Sequence, residues 1–95
     1  MADALNITVY LPGPLRVYCG GASEIFLSAA TVGAALDQLE HQYEPLHRNI
    51  RDEAGVVRRH LGIFVNFDHV RDLQGLDTVL APGDVVTILP AVSGG

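Results

Sequence analysis

The chain has 95 residues, 48 % of them apolar and 18 % charged, which suits one folded domain and leaves no room for a second domain or a deep walled cavity. Six basic residues against eleven acidic ones give a net charge of −5, and all six are arginine. That balance offers no basic stripe for nucleic acid and no basic amphipathic face for an anionic membrane, while the apolar content argues against disorder.

Leu5, Ile7, Val9 and Leu11 alternate with Asn6, Thr8 and Tyr10, the period of a strand with one buried face. Tyr10 then faces away from the core, onto an open sheet surface. Pro12-Gly13-Pro14 ends that strand. A short apolar run from Leu15 to Tyr18 leads to Gly20-Gly21, and Glu24 to Leu27 reads as a strand paired with the first as a hairpin neighbour. From Thr31 the rhythm changes. Val32, Ala35, Leu36, Leu39 and Tyr43 follow helical spacing, Thr31 supplies a cap, and Pro45 marks the end. Gly33, in the first turn, is a place where another backbone could approach, or has no role. Residues 45–54 are expected to hold a short second helix with Leu46 and Ile50 on one side and Gly55 at its end.

Leu61 to Val65 is the next strand, Asn66-Phe67-Asp68-His69 a turn, and Val70 to Leu76 an irregular return. Pro82-Gly83 fits the central pair of a type II turn. Val85 to Leu89 is the most continuously apolar strand and is placed centrally, with Pro90 stopping its pairing. No repeat or low-complexity tract interrupts this order. The expected fold class is α+β, a mixed sheet of four to five strands with one main helix packed across one face.

The chain ends on Ala91-Val92-Ser93-Gly94-Gly95, directly after the proline that closes the last strand. Extended, these residues reach about 17 Å at ~3.3–3.6 Å per residue. Two glycines present no side chain to a narrow channel, and no charged side chain follows Asp84. A frayed end is the bland reading of such a tail; a carboxylate offered to another protein is the sharper one.

In that setting the chain resembles the ubiquitin-like sulfur carriers of the MoaD/ThiS family. The resemblance is carried by Thr31-Val32-Gly33 with Leu36 and Leu39, by Arg59-His60 before Ile63-Phe64-Val65-Asn66, and by Asp68 and Val70-Arg71. It continues through Gly75-Leu76-Asp77-Thr78, Pro82-Gly83-Asp84-Val85 and Ile88-Leu89-Pro90-Ala91-Val92-Ser93-Gly94-Gly95. Phe67 departs from the small or polar turn residue common there, and the loop from Leu15 to Gly21 matches no pattern. The resemblance implies a ubiquitin-like β-grasp fold over residues 1–90 with a flexible diglycine tail over 91–95.

It also implies a carrier and not an enzyme. A MoeB/ThiF-like, E1-like enzyme would adenylate the Gly95 carboxylate, and a sulfur donor would convert it to a thiocarboxylate. A sulfur-accepting synthase, such as the molybdopterin synthase large subunit or a cysteine synthase-like enzyme, would take the sulfur. Gly95 would carry the reaction, Gly94 give clearance, and Ala91, Val92 and Ser93 form the tether. ATP would be consumed by the partner, with no cofactor or metal bound to the carrier. The pathways in view are molybdopterin, thiamin, cysteine and tRNA thiolation, the ending being slightly closer to the cysteine-route carriers. The alternative is a protein modifier joined through Gly95 to target lysines.

Arg59 and Phe67 are further candidates for partner contacts, against a solvated strand entry for the first and packing on the core for the second. Cys19 reads as a structural thiol, since a lone cysteine forms no internal disulfide and nothing in sequence lowers its pKa. His41, His47, His60 and His69 follow no metal-ligand spacing. The absence of lysine leaves only the α-amino group as an internal amine. The N-terminus carries no secretory pattern and no apolar run is long enough to span a bilayer, so a cytoplasmic setting is expected.

Overall fold

The computed structural model describes residues 6–46 and 48–90. Five strands form one mixed sheet: β1 (Ile7–Tyr10), β2 (Glu24–Leu27), β3 (Leu61–Val65), β4 (Asp68–His69) and β5 (Val85–Pro90), in the spatial order β2-β1-β5-β3-β4. β5 is central as its apolar run predicts. It lies parallel to β1, with Val9 opposite Val86, and antiparallel to β3, with Ile63 opposite Ile88. β1 and β2 are antiparallel neighbours in which Ile7 faces Leu27 and Val9 faces Ile25. These registers bring every inward residue to one face, because a strand's side chains alternate with period two.

That face is covered by α2 (Val32–Gln42), which buries Val32, Ala35, Leu36 and Leu39. Thr31 caps it: its hydroxyl oxygen accepts from the Ala34 amide at 3.1 Å, satisfying one orphan donor of the first turn. A Cβ on Gly33 would sit 3.2 Å from the Leu76 carbonyl oxygen, so this glycine allows the returning chain to pass against the helix. Gly83 has φ +92° and the Asp84 amide donates to the Ala81 carbonyl at 3.0 Å, closing the expected turn into β5. The arrangement is the β-grasp that the resemblance implies.

Three local expectations are corrected: the second helix over 45–54, Pro90 as the stop to pairing, and a turn over all of Asn66–His69, since Asp68–His69 pairs with β3 as β4. No second helix fills residues 45–54. A 3-10 turn spans Glu44–Leu46, Arg48 takes a left-handed backbone angle of +70°, and Arg51 pairs across an isolated bridge with Val57. Leu46 and Ile50 are fully buried all the same, so the apolar spacing is met by an irregular segment fixed from outside. Pro90 does not stop pairing but is the last residue of β5, still opposite Leu61. The Leu15–Tyr18 run folds into the helical turn α1 (Gly13–Arg16) and a 3-10 turn over Val17–Cys19. The Val70–Leu76 return is likewise organised as 3-10 turns at Val70–Asp72 and Gly75–Asp77.

Candidate functional site

The central strand determines where the end of the domain emerges. β5 runs from Val85 to Pro90, and its last residue lies opposite the first residue of β3. The chain therefore leaves the sheet from its middle, between β1 and β3. Gly94 and Gly95, the expected reacting end, and Ala91, Val92 and Ser93, the expected tether, lie outside the described residues.

The root of that tail has a defined neighbourhood. Leu61 donates its amide to the Arg58 carbonyl at 3.0 Å, which makes Arg59 and His60 the exposed central pair of a turn entering β3. Arg58 is held by its Nε, which donates to the Arg48 carbonyl at 2.8 Å. Arg59 thus stands beside the exit of β5. Phe67 does not. It is 96 % exposed, at the turn between β3 and β4, where Val65 lies opposite Val86 near the start of β5. The structure separates these two candidate contacts by the length of the sheet.

The uncovered sheet face is more apolar than the sequence reading anticipated. Tyr10, Phe26 and Leu89 are exposed on it. Phe64 meets His69 edge-to-face with ring centroids 4.9 Å apart. Only Tyr10 was anticipated there. Leu89 was legible too, since the residue next to a buried Ile88 must face the other way. The Tyr10 hydroxyl donates to Glu24, and that carboxylate raises the phenol pKa above its ordinary value by hydrogen bonding and by its charge.

The remaining candidates separate cleanly. Cys19 is 5 % exposed, and burial raises its pKa, away from the thiolate a nucleophile needs. His47 lies outside the described residues, and among the described residues no three His, Cys, Asp or Glu side chains gather as metal ligands. Among those residues, too, no helix is long and apolar enough to cross a membrane.

A small β-grasp domain with β5 at the centre of its mixed sheet defines the class, that of ubiquitin-like proteins. The ThiS family model matches residues 9–95, and the protein belongs to the ThiS family. It is 41 % identical over 93 residues to the sulfur carrier protein CysO of Mycobacterium tuberculosis, covering 96 % of this chain and 100 % of the relative. The crystal structure of that CysO superposes with a TM-score of 0.85 at 40 % identity, over 92 % of this chain and 100 % of the other. CysO from Amycolatopsis orientalis, crystallised in a complex with BexX, gives a TM-score of 0.83 at 34 % identity, over 94 % and 99 % of the two chains. The small archaeal modifier protein 1 of Methanosarcina acetivorans gives 0.83 at 30 % identity, over 99 % and 100 %.

Proposed function

We propose that the protein is a sulfur carrier that works through the carboxylate of Gly95. The observation that carries this is the placement of β5, which delivers its last residue, Pro90, to the sheet's end beside an exposed turn. A sequence of small residues and two glycines follows. Likeness to CysO over nearly the whole chain supports the same reading and favours a cysteine route over molybdopterin, thiamin or tRNA thiolation.

The chemistry follows from the carboxylate. With an ordinary α-carboxyl pKa of about 3.3–3.7 it is ionised at neutral pH and is a poor electrophile. An E1-like, MoeB/ThiF-like enzyme joins it to AMP from ATP and releases pyrophosphate. A sulfide or persulfide sulfur then attacks the acyl carbon and AMP leaves; with a persulfide, a thiol reduces the remaining S–S bond. The product is a thiocarboxylate, which a sulfur-accepting enzyme consumes. The carrier supplies no catalytic group of its own: it provides the recognition surface, and Ala91, Val92 and Ser93 provide the reach. A cytoplasmic setting, where ATP and reduced sulfur are at hand, belongs to the same proposal.

The test is an intact mass measurement after incubation with the host's adenylating enzyme, ATP and sulfide. The expected product is heavier by one oxygen exchanged for sulfur, with the change confined to Gly95. An unchanged mass, with an enzyme that activates its own known carrier in parallel, refutes the reading. A second reading, conjugation of Gly95 to target lysines, is supported by the 38 % identity over 66 residues to the small archaeal modifier protein 3 of Haloferax volcanii. It predicts larger adducts that survive reducing agent.

A further inference from the structure

The charge of the domain is unevenly distributed along its strands. Around the start of β5 stand Asp68, Asp77 and Asp84, the last held by the Asn66 amide at 3.1 Å. Around its end stand Arg16, whose Nε donates to the Leu11 carbonyl at 3.0 Å, and the Arg58–Arg59 pair. Acids stand at this second pole too, and they keep their charge, but most are tied to local groups. Glu24 takes the Tyr10 hydroxyl, Asp52 accepts the amides of Ala54 and Val56, and Glu53 faces Arg48 at 3.4 Å. Glu44 is the exposed exception. Arg59 is exposed and makes no hydrogen bond or ion pair among the described residues.

We infer that Arg59 is the specificity contact of this carrier for its activating enzyme, meeting a carboxylate at the rim of the channel that takes the tail. The inference rests on the sulfur-carrier reading. Arg59 acts by position and not by chemistry: a five-residue tail drawn into a channel puts the reacting carbon about 17 Å from its root, beyond the reach of an arginine side chain. The partner group has to be close, because screening at physiological salt confines exposed charges to about 8 Å. A carboxylate is the group that answers both the positive charge and the planar pair of donors of a guanidinium. An acidic rim would repel a protein of net charge −5 in most orientations, so a positive group at the tail root selects the one orientation in which the tail can enter.

The experiment measures steady-state activation of the full chain by the host's adenylating enzyme, following pyrophosphate release and intact mass. Three variants are compared with the unaltered protein: Arg59→Glu, Arg59→Ala and, as control, Arg71→Glu. Arg71 lies in the turn after β4 at the sheet's far edge, and its reversal changes net charge by the same amount. Arg59→Glu is expected to raise KM for the carrier roughly five- to ten-fold with kcat nearly unchanged, the gap narrowing as salt is added. Arg59→Ala should raise it about two- to three-fold, and Arg71→Glu less than about two-fold. Equal effects of Arg59→Glu and Arg71→Glu, or a loss confined to kcat, would overturn the inference. If the unaltered chain is not activated by a competent enzyme, the carrier reading fails and takes Arg59 with it. If it is activated and Arg59→Glu is indifferent, only the Arg59 inference falls. Thermal unfolding of each variant checks that the fold is kept.

Discussion

Replacing Arg51 by alanine is expected to cost about 2–3 kcal/mol and to loosen the segment that carries the tail-root turn. The magnitude comes from the geometry. Arg51 Nε donates to Glu40 Oε2 at 3.0 Å and its Nη2 to Glu40 Oε1 at 3.0 Å, a two-pronged contact. The same Nη2 reaches Asp37 Oδ1 at 2.6 Å. The side chains of Arg51 and Glu40 are 14 % and 12 % exposed, whereas Asp37 is 71 % exposed. The Glu40 contact is therefore close to the buried regime, in which removing one partner costs roughly 3–5 kcal/mol, and the Asp37 contact is in the surface regime of about 0–1 kcal/mol. Partial access of water at the helix edge brings the first figure down. Among the described residues no regular element holds 48–58; this ion pair ties the segment to α2, and the Arg51–Val57 bridge closes the segment on itself.

For a domain of this size a loss of about 2 kcal/mol lowers the melting temperature by roughly 8–16 °C. Urea or thermal denaturation followed by circular dichroism reads it directly. A loss below about 0.5 kcal/mol for Arg51→Ala would place the pair among ordinary surface contacts and refute the argument.

Two further outcomes follow from the same structure. Cys19 should react with a disulfide reagent far more slowly in the native protein than in denaturant, because burial both covers the thiol and raises its pKa; equal rates would show that the site opens freely. The Tyr10 phenol should lose its proton only above its ordinary pKa of 10.0, as the Glu24 carboxylate disfavours a second negative charge beside it. Glu24→Gln should bring that titration down, and an absorbance or NMR titration unmoved by the change would deny the contact.

How much of this was legible in the sequence depended on the range of the forces involved. β1, α2, β3 and β5 each declare themselves by a run of apolar residues at their own period. The central place of β5 follows from its needing cover on both edges. The turn at Pro82-Gly83 follows from the backbone angle that glycine alone takes easily. The segment from Glu44 to His60 was not legible. Leu46 and Ile50 sit four apart and read as a helix face, yet their burial is secured by Arg51 reaching back to Asp37 and Glu40, fourteen and eleven residues earlier. A tertiary tie of that kind leaves no periodic trace. For the same reason Arg59 and Phe67 looked alike from sequence, both being odd residues near turns. Only the strand register places one at the root of the tail and the other at the far end of the sheet.

The choice of cation then bears on the proposed chemistry. An acyl adenylate is attacked readily by an unprotonated amine, and the resulting amide would consume the carrier. Every positive side chain in this sequence is a guanidinium. A guanidinium stays protonated and non-nucleophilic at any working pH, whereas a lysine ammonium near 10.4 keeps a small reactive fraction. Arg16, Arg58 and Arg59 therefore bring positive charge to the tail pole without placing an amine where an activated carboxyl would pass. The same composition has a consequence for the modifier reading. A chain with no lysine side chain offers a second copy no ε-amine, so conjugates linked through lysine would end after one unit. Positive charge for orientation and the absence of a competing side-chain amine are separate requirements, and arginine meets both at once.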